Sequence, residues 1–160
     1  MKDYPDPDAL GTLMRHVLDL LDGAVAEVYR DQGLDEYRPR YSPIVRALLR
    51  EGPLSVRDLA AAVGVTHSAA SQTAAQMAKA GLVEHATDPG DQRRRLVALT
   101  PKAEALVPQI TAEWDATVAA MAELDAELSM PLAVLLTEVA EALGRRPFRE
   151  RIDFPGSNVS

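Results

Sequence analysis

The sequence predicts a mainly α-helical protein with one small β-hairpin. Apolar residues recur at helical spacing along most of the chain, and one pair of short β-prone runs, 82–87 and 96–100, flanks the turn-like DPGD at 88–91. Ser-Pro, Thr-Pro and Gly punctuate the helical segments as starts and stops. At 160 residues the chain has single-domain length.

From Leu10 the positions Leu10, Met14, Val17, Leu21, Ala24 and Val28 step alternately by four and three. That repeat makes a seam suited to packing on another helix, and Leu13, Leu20 and Val25 widen it. Gly33 ends the helix, and Tyr37 to Tyr41 is a short Arg/Pro/Tyr connector. Ser42-Pro43 reads as an N-cap with Pro at the first helical position. Ile44, Val45, Leu48 and Leu49 form the apolar face of this second helix, which Gly52-Pro53 stops.

Ser55 caps a third helix with Asp58 as its capping-box partner, and Leu59, Ala60 and Val63 face inward before Gly64. A fourth helix runs from near Thr66 to Gly81 with high alanine content. After the hairpin, Thr100-Pro101 starts a long helix with Ala103, Leu106, Ile110, Trp114, Thr117, Met121, Leu124 and Leu128 on one side. Pro108 should kink rather than end it, since the period continues. A last helix, Leu132 to Leu143, precedes a tail with four Arg and no clear period.

Composition narrows the function classes. Cysteine is absent, which excludes disulfides, thiolate metal sites and cysteine nucleophiles. No apolar run reaches the ~18 residues of a membrane span, and the acidic, proline-broken MKDYPDPDAL is unlike a signal peptide. With 47% hydrophobic residues the chain can build a core. The expectation is a soluble cytoplasmic protein.

The net charge of −7 would argue against nucleic acid if it were evenly spread. It is not: residues 38–102 hold ten Lys/Arg and five Asp/Glu, while the flanks hold seven and nineteen. A basic middle between acidic arms points to one region that meets a polyanion.

That middle has the order of a helix-turn-helix followed by a wing. Ala60 is small where a second helix would cross, Gly64 frees the turn, and Ala70 supplies the apolar contact. The hairpin directly after it strengthens the pattern. Thr66, His67, Ser68, Ser71 and Gln72 cluster in the first two turns of the fourth helix, where base edges would lie nearest. Arg93, Arg94 and Arg95 sit on the turn-proximal arm of the hairpin, where a guanidinium suits a narrow minor groove. Arg94 and Arg95 point to opposite sides of the strand, so at most one joins Arg93 on a DNA face.

At this point the sequence resembles a known family. Residues 52–106, GPLSVRDLAAAVGVTHSAASQTAAQMAKAGLVEHATDPGDQRRRLVALTPKAEAL, are similar to the DNA-binding region of MarR family transcriptional regulators. The most specific element is DPGDQRRRLVALT, which carries the family's Asp-x-Arg as Asp91 and Arg93. Helix order extends the resemblance over 10–143. It implies a winged helix-turn-helix module at 42–100, a helical dimerisation region at 10–32 and 101–146, and tails at 1–9 and 147–160.

The resemblance also implies an obligate homodimer on a palindromic site in double-stranded DNA, acting as a repressor. Arg93 would enter the minor groove and Asp91 would hold the wing by ion pairing. A small, often phenolic, effector would bind between the dimerisation helices and the winged module, with His16, Tyr37, Tyr41, Arg46 and Trp114 as candidate lining residues. One departure stands out: Ser71-Gln72 occupies the place where family members carry Thr-Arg. A neutral amide there suits adenine readout and lowers affinity. It also keeps open the alternative of a winged-helix module that binds protein and not DNA.

No catalytic residue, metal ligand or cofactor motif is expected. There is no nucleophile motif or glycine-rich phosphate loop, and His67-Ser68 are helical neighbours that do not face each other. His16, His67 and His85 lack metal-ligand spacing.

Overall fold

The computed structural model describes residues 5–6, 8–87, 90 and 95–153. Helix α1 (Leu10–Asp31) leads through a 3-10 turn (Pro39–Tyr41) into α2 (Ser42–Glu51), then α3 (Val56–Val63) and α4 (His67–Lys79). Strands β1 (Val83–Thr87) and β2 (Arg95–Leu99) follow, then α5 (Pro101–Ala126), α6 (Leu132–Arg145) and a second 3-10 turn (Phe148–Arg151). The expected mainly α fold with one hairpin is what forms. The chain divides into two units, Met1–Glu113 and Trp114–Ser160.

Local chemistry sets the boundaries in the first unit. Ser55 Oγ accepts from Asp58 N (3.2 Å) and donates to the Asp58 carboxylate (2.7 Å), so the α3 N-terminus satisfies its own orphan donor. Gly64 ends α3 with φ +76°, a conformation that strains any residue with a Cβ. Thr66 Oγ1 then caps α4 by accepting from Ala69 N at 3.2 Å. Thr100 Oγ1 accepts from Ala103 N at 3.2 Å and donates to the Gly81 carbonyl at 2.7 Å. That single hydroxyl fixes the start of α5 against the end of the α4 segment.

Two expectations on α2 are corrected. Ser42 is not its N-cap: it is the first helical residue, with no side-chain cap bond before it. The 3-10 turn delivers the chain already in helical conformation, at φ −54° and ψ −43°, and the Ser42 hydroxyl makes tertiary contacts with Tyr29 and Tyr37. Leu49 is 45% exposed and lies off the apolar face. At ~100° per residue it falls to one side of the stripe formed by buried Ile44, Val45 and Leu48.

The strands pair antiparallel with Val83 opposite Leu99 and Thr87 opposite Arg95. Leu54, just before α3, bridges β2 through two backbone bonds with Val97 (3.1 and 2.7 Å). The wing is therefore tied to the start of the helix-turn-helix and not only to its end. Leu59, Met77, Leu82, Val97 and Ile110 are fully buried at the centre of this unit. The seam of α1 stays outside: Leu10, Met14, Val17, Leu18, Leu20 and Val28 are exposed.

In the second unit, Asp125 accepts from Leu132 N (2.9 Å) and sets the start of α6. Arg151 donates to the carbonyls of Ala142 (2.7 Å) and Arg146 (3.1 Å), closing the C-terminal end of α6. No residue of α6 is buried, and Val134, Leu135, Leu136, Val139 and Leu143 lie open, with Phe148 and Ile152 beyond.

Candidate nucleic-acid interface and effector cavity

Helix α4 has two faces of different character. Ala70, Ala74 and Met77 are buried, so one side packs inward with small residues near the turn and a flexible one at the far end. His67, Ser68, Ser71, Gln72, Gln76 and Lys79 are exposed on the remaining surface. The helix contains no Asp or Glu, and its first turn carries no acid to oppose a phosphate at its N-terminus. The Thr66 oxygen is used as a cap, but a hydroxyl keeps a donor for an outside acceptor.

The α4 residues that the sequence suggests for DNA contact, Thr66, His67, Ser68, Ser71 and Gln72, are thus all exposed. Arg95 is exposed at the turn end of β2, opposite Thr87. Asp91, Arg93 and Arg94 lie outside the described residues, as does most of the expected DPGD turn.

A second cluster gathers beneath this module. Tyr29 at the end of α1 and Glu113 on α5 are 1% and 3% exposed, and the Tyr29 hydroxyl donates to the Glu113 carboxylate. Ser42 Oγ lies 3.4 Å from the Tyr29 hydroxyl and 3.2 Å from that of Tyr37. The Tyr29 and Tyr37 rings meet edge-on at 4.7 Å, and Tyr37 meets Tyr41 at 5.9 Å.

Burial and the bond to Glu113 hold the Tyr29 hydroxyl far above its ordinary pKa of 10. Burial likewise pushes Tyr37 up to about 12, with the Glu113 charge adding to it and Ser42 and Arg46 opposing. Both phenols are therefore neutral donors over the physiological range.

Tyr37 also lines a cavity of about 460 Å³ together with Leu34, Glu36, Leu82, Lys102 and Leu106. Lys102 Nζ bonds Glu36 at 2.5 Å and the Ala80 carbonyl at 2.9 Å. One side chain of α5 thereby holds both the connector after α1 and the residue that ends α4. This is the size of cavity that takes a small organic ligand.

Of the five residues expected to line an effector site, Tyr37 faces this cavity and Tyr41 packs on the Tyr37 ring. Arg46 is exposed on α2. His16 lies thirteen residues before Tyr29 on α1, about 20 Å along a helix. Trp114 is half-buried in the second unit. The structure does not gather all five in this one cavity.

Tyr29, Lys102 and Glu113 were not singled out by sequence reasoning, and Ser42 only as a helix cap. A faint signal existed for Glu113: it adjoins Trp114 on the apolar stripe of α5, where a carboxylate is out of place unless partnered. Among the described residues, no helix is long and apolar enough to cross a membrane, and no group of His, Asp or Glu is arranged to hold a metal.

A capped helix-turn-helix braced by a hairpin, with an acid-free polar helix outside, defines a winged helix-turn-helix protein. Residues 38–94 match the model of the MarR family. No curated protein sequence matches the chain. Among solved structures it is similar to BpsR of Bordetella bronchiseptica, at 18% identity over 89% of this chain and 97% of that one, with a TM-score of 0.64. It is similar to CouR from Rhodococcus jostii RHA1, at 22% identity over 92% and 97%, with a TM-score of 0.57. A MarR family regulator from Rhodococcus sp. RHA1 matches at 25% identity over 88% and 96%, with a TM-score of 0.54. Over residues 38–94 the chain is thus similar to the MarR family of transcriptional regulators, and it shares the fold of these solved proteins.

Proposed function

We propose that the chain is a homodimeric repressor that binds a palindromic operator and leaves it when a small aromatic ligand binds. The carrying observation is α4: an exposed, acid-free row of polar side chains backed by buried Ala70, Ala74 and Met77. In this reading Thr66, His67, Ser68, Ser71 and Gln72 meet the major groove. Arg93 enters the minor groove with Asp91 anchoring it, and Arg94 or Arg95 meets the adjacent backbone.

The dimer is supported by the apolar seam of α1 and the open face of α6, which exceed the scattered exposed residues of a monomer. The ligand is supported by the cavity at Tyr37 and by named relatives. BpsR has its DNA binding regulated by 6-hydroxynicotinic acid, and CouR is bound to p-coumaroyl-CoA. Tyr41, Arg46, His16 and Trp114 are the further residues we assign to ligand response.

Selection of bound duplexes from a random pool tests the reading. Enrichment of an inverted repeat with half-sites about one helical turn apart is expected. A pool that shows no enrichment at low salt would favour a protein-binding module instead.

A further inference from the structure

The buried positions of α4 fix which side chains point directly away from the protein. At ~100° per residue, Ser68, Gln72, Ala75, Gln76 and Lys79 fall opposite the inward face of Ala70, Ala74 and Met77. Among these, Ser68 and Ala75 are short, so they let the helix approach closely without filling the space. Lys79 is the only cation of the helix and lies at its C-terminal end. Two side chains of equal length and chemistry remain between them: Gln72 and Gln76, one helical turn apart and both exposed.

A glutamine amide presents one donor and one acceptor side by side. In the major groove, adenine alone offers the complement, N7 as acceptor and the N6 amino group as donor. Four residues of helix rise about 6 Å, and successive base pairs are about 3.4 Å apart. Gln72 and Gln76 can therefore address adenines one to two base pairs apart, without either having to bend across the other. Arginine at position 72 would favour a guanine or phosphate contact through its positive charge; here that pull is absent and the two amides act as equivalent readers.

We propose that Gln76 is a second specificity-determining residue and that, with Gln72, it reads a pair of adenines in each operator half-site. The proposal rests on the DNA-binding reading and goes beyond it by assigning a reader that sequence reasoning did not select, together with the bases it reads. Gln76 stays outside the folded core, so replacing it leaves the helix packing of Ala70, Ala74 and Met77 in place.

The test compares the full-length protein with Gln72→Ala, Gln76→Ala and Gln76→Glu by selection from random duplexes. Single-base variants of the enriched site are then titrated. The wild type should enrich two adenines one to two base pairs apart in each half-site. Gln76→Ala should lose about ten-fold or more of the preference at one adenine and keep the other; Gln72→Ala should do the reverse. Gln76→Glu should move the affected position towards cytosine, whose amino group a carboxylate accepts, a change that mere destabilisation would not produce.

Enrichment of a site without the adenine pair, or an unchanged base preference in Gln76→Ala, overturns this inference and leaves DNA binding standing. A wild type that enriches no duplex overturns both.

Discussion

The hydroxyl of Tyr29, in the last turns of α1, donates to the carboxylate of Glu113 on α5, across 84 positions of sequence and with both residues buried. Burying a carboxylate is costly unless donors reach it. Tyr29 is one such donor and is itself held near Ser42, so α1, α2 and α5 meet at one polar point in an otherwise apolar core.

Removing the donor should therefore cost more than neutralising the acceptor. Tyr29→Phe is expected to lower stability by about 2–4 kcal/mol, because the carboxylate stays buried without its tyrosine partner. Glu113→Gln should cost less, about 1–2 kcal/mol, since an amide oxygen still accepts. Urea unfolding of both variants checks the order; equal or reversed costs would remove this bond from the account of the core.

The phenols give stability a pH dependence at the alkaline end. Tyr37 ionises at 10 in the unfolded chain and at about 12 in the fold. Between those values the unfolded state binds fewer protons, so stability falls as pH rises. Its contribution is complete below pH 10 and lost on passing through 12. Tyr37→Phe should flatten that decline by an amount on the order of 1–3 kcal/mol. Thermal unfolding at pH 9 to 11.5, roughly the window set by this linkage, would show identical slopes if burial of Tyr37 were not responsible.

The turn between α3 and α4 depends on backbone freedom at one position. Gly64 has φ +76° with open space around it. Gly64→Ala should thus cost about 1–2 kcal/mol through conformational strain and not through a clash. Thr66→Ala, which removes the cap on Ala69 N, should cost about 1 kcal/mol. Chemical denaturation reads both, and a neutral Gly64→Ala would mean that the turn can rearrange.

Much of this architecture was legible because its signals are local. Ser55 with Asp58, Gly64, Thr66 and Thr100 each act within a few residues, and each does what its type and spacing suggest. Ser42 misled for an equally local reason: a 3-10 turn before it supplied helical geometry, so the hydroxyl turned to Tyr29 and Tyr37. The Tyr29–Glu113 bond and the Lys102 contacts with Glu36 and Ala80 join distant segments, and periodicity says nothing about such pairs. On the proposed DNA surface, the exposure of the first turns of α4 was readable from polarity. That Gln76 shares this surface was not, because it depends on knowing which residues of α4 are buried.

The exposed seam of α1 makes the proposed dimer testable by one charge. Met14→Glu should raise the dimer dissociation constant by about ten-fold or more, since a carboxylate would have to be desolvated in the seam. Sedimentation equilibrium would detect it. A wild type that stays monomeric throughout, or a variant with unchanged association, would place the interface elsewhere.

The most direct test of the central claim, that α4 and the basic wing grip a DNA duplex, is the salt dependence of binding to a selected operator. The logarithm of affinity should fall linearly with the logarithm of salt, by about 0.9 for each phosphate neutralised. Arg95→Ala should reduce that slope by about one. A selected duplex bound with no dependence on salt, or no duplex bound at all at low salt, would contradict the claim.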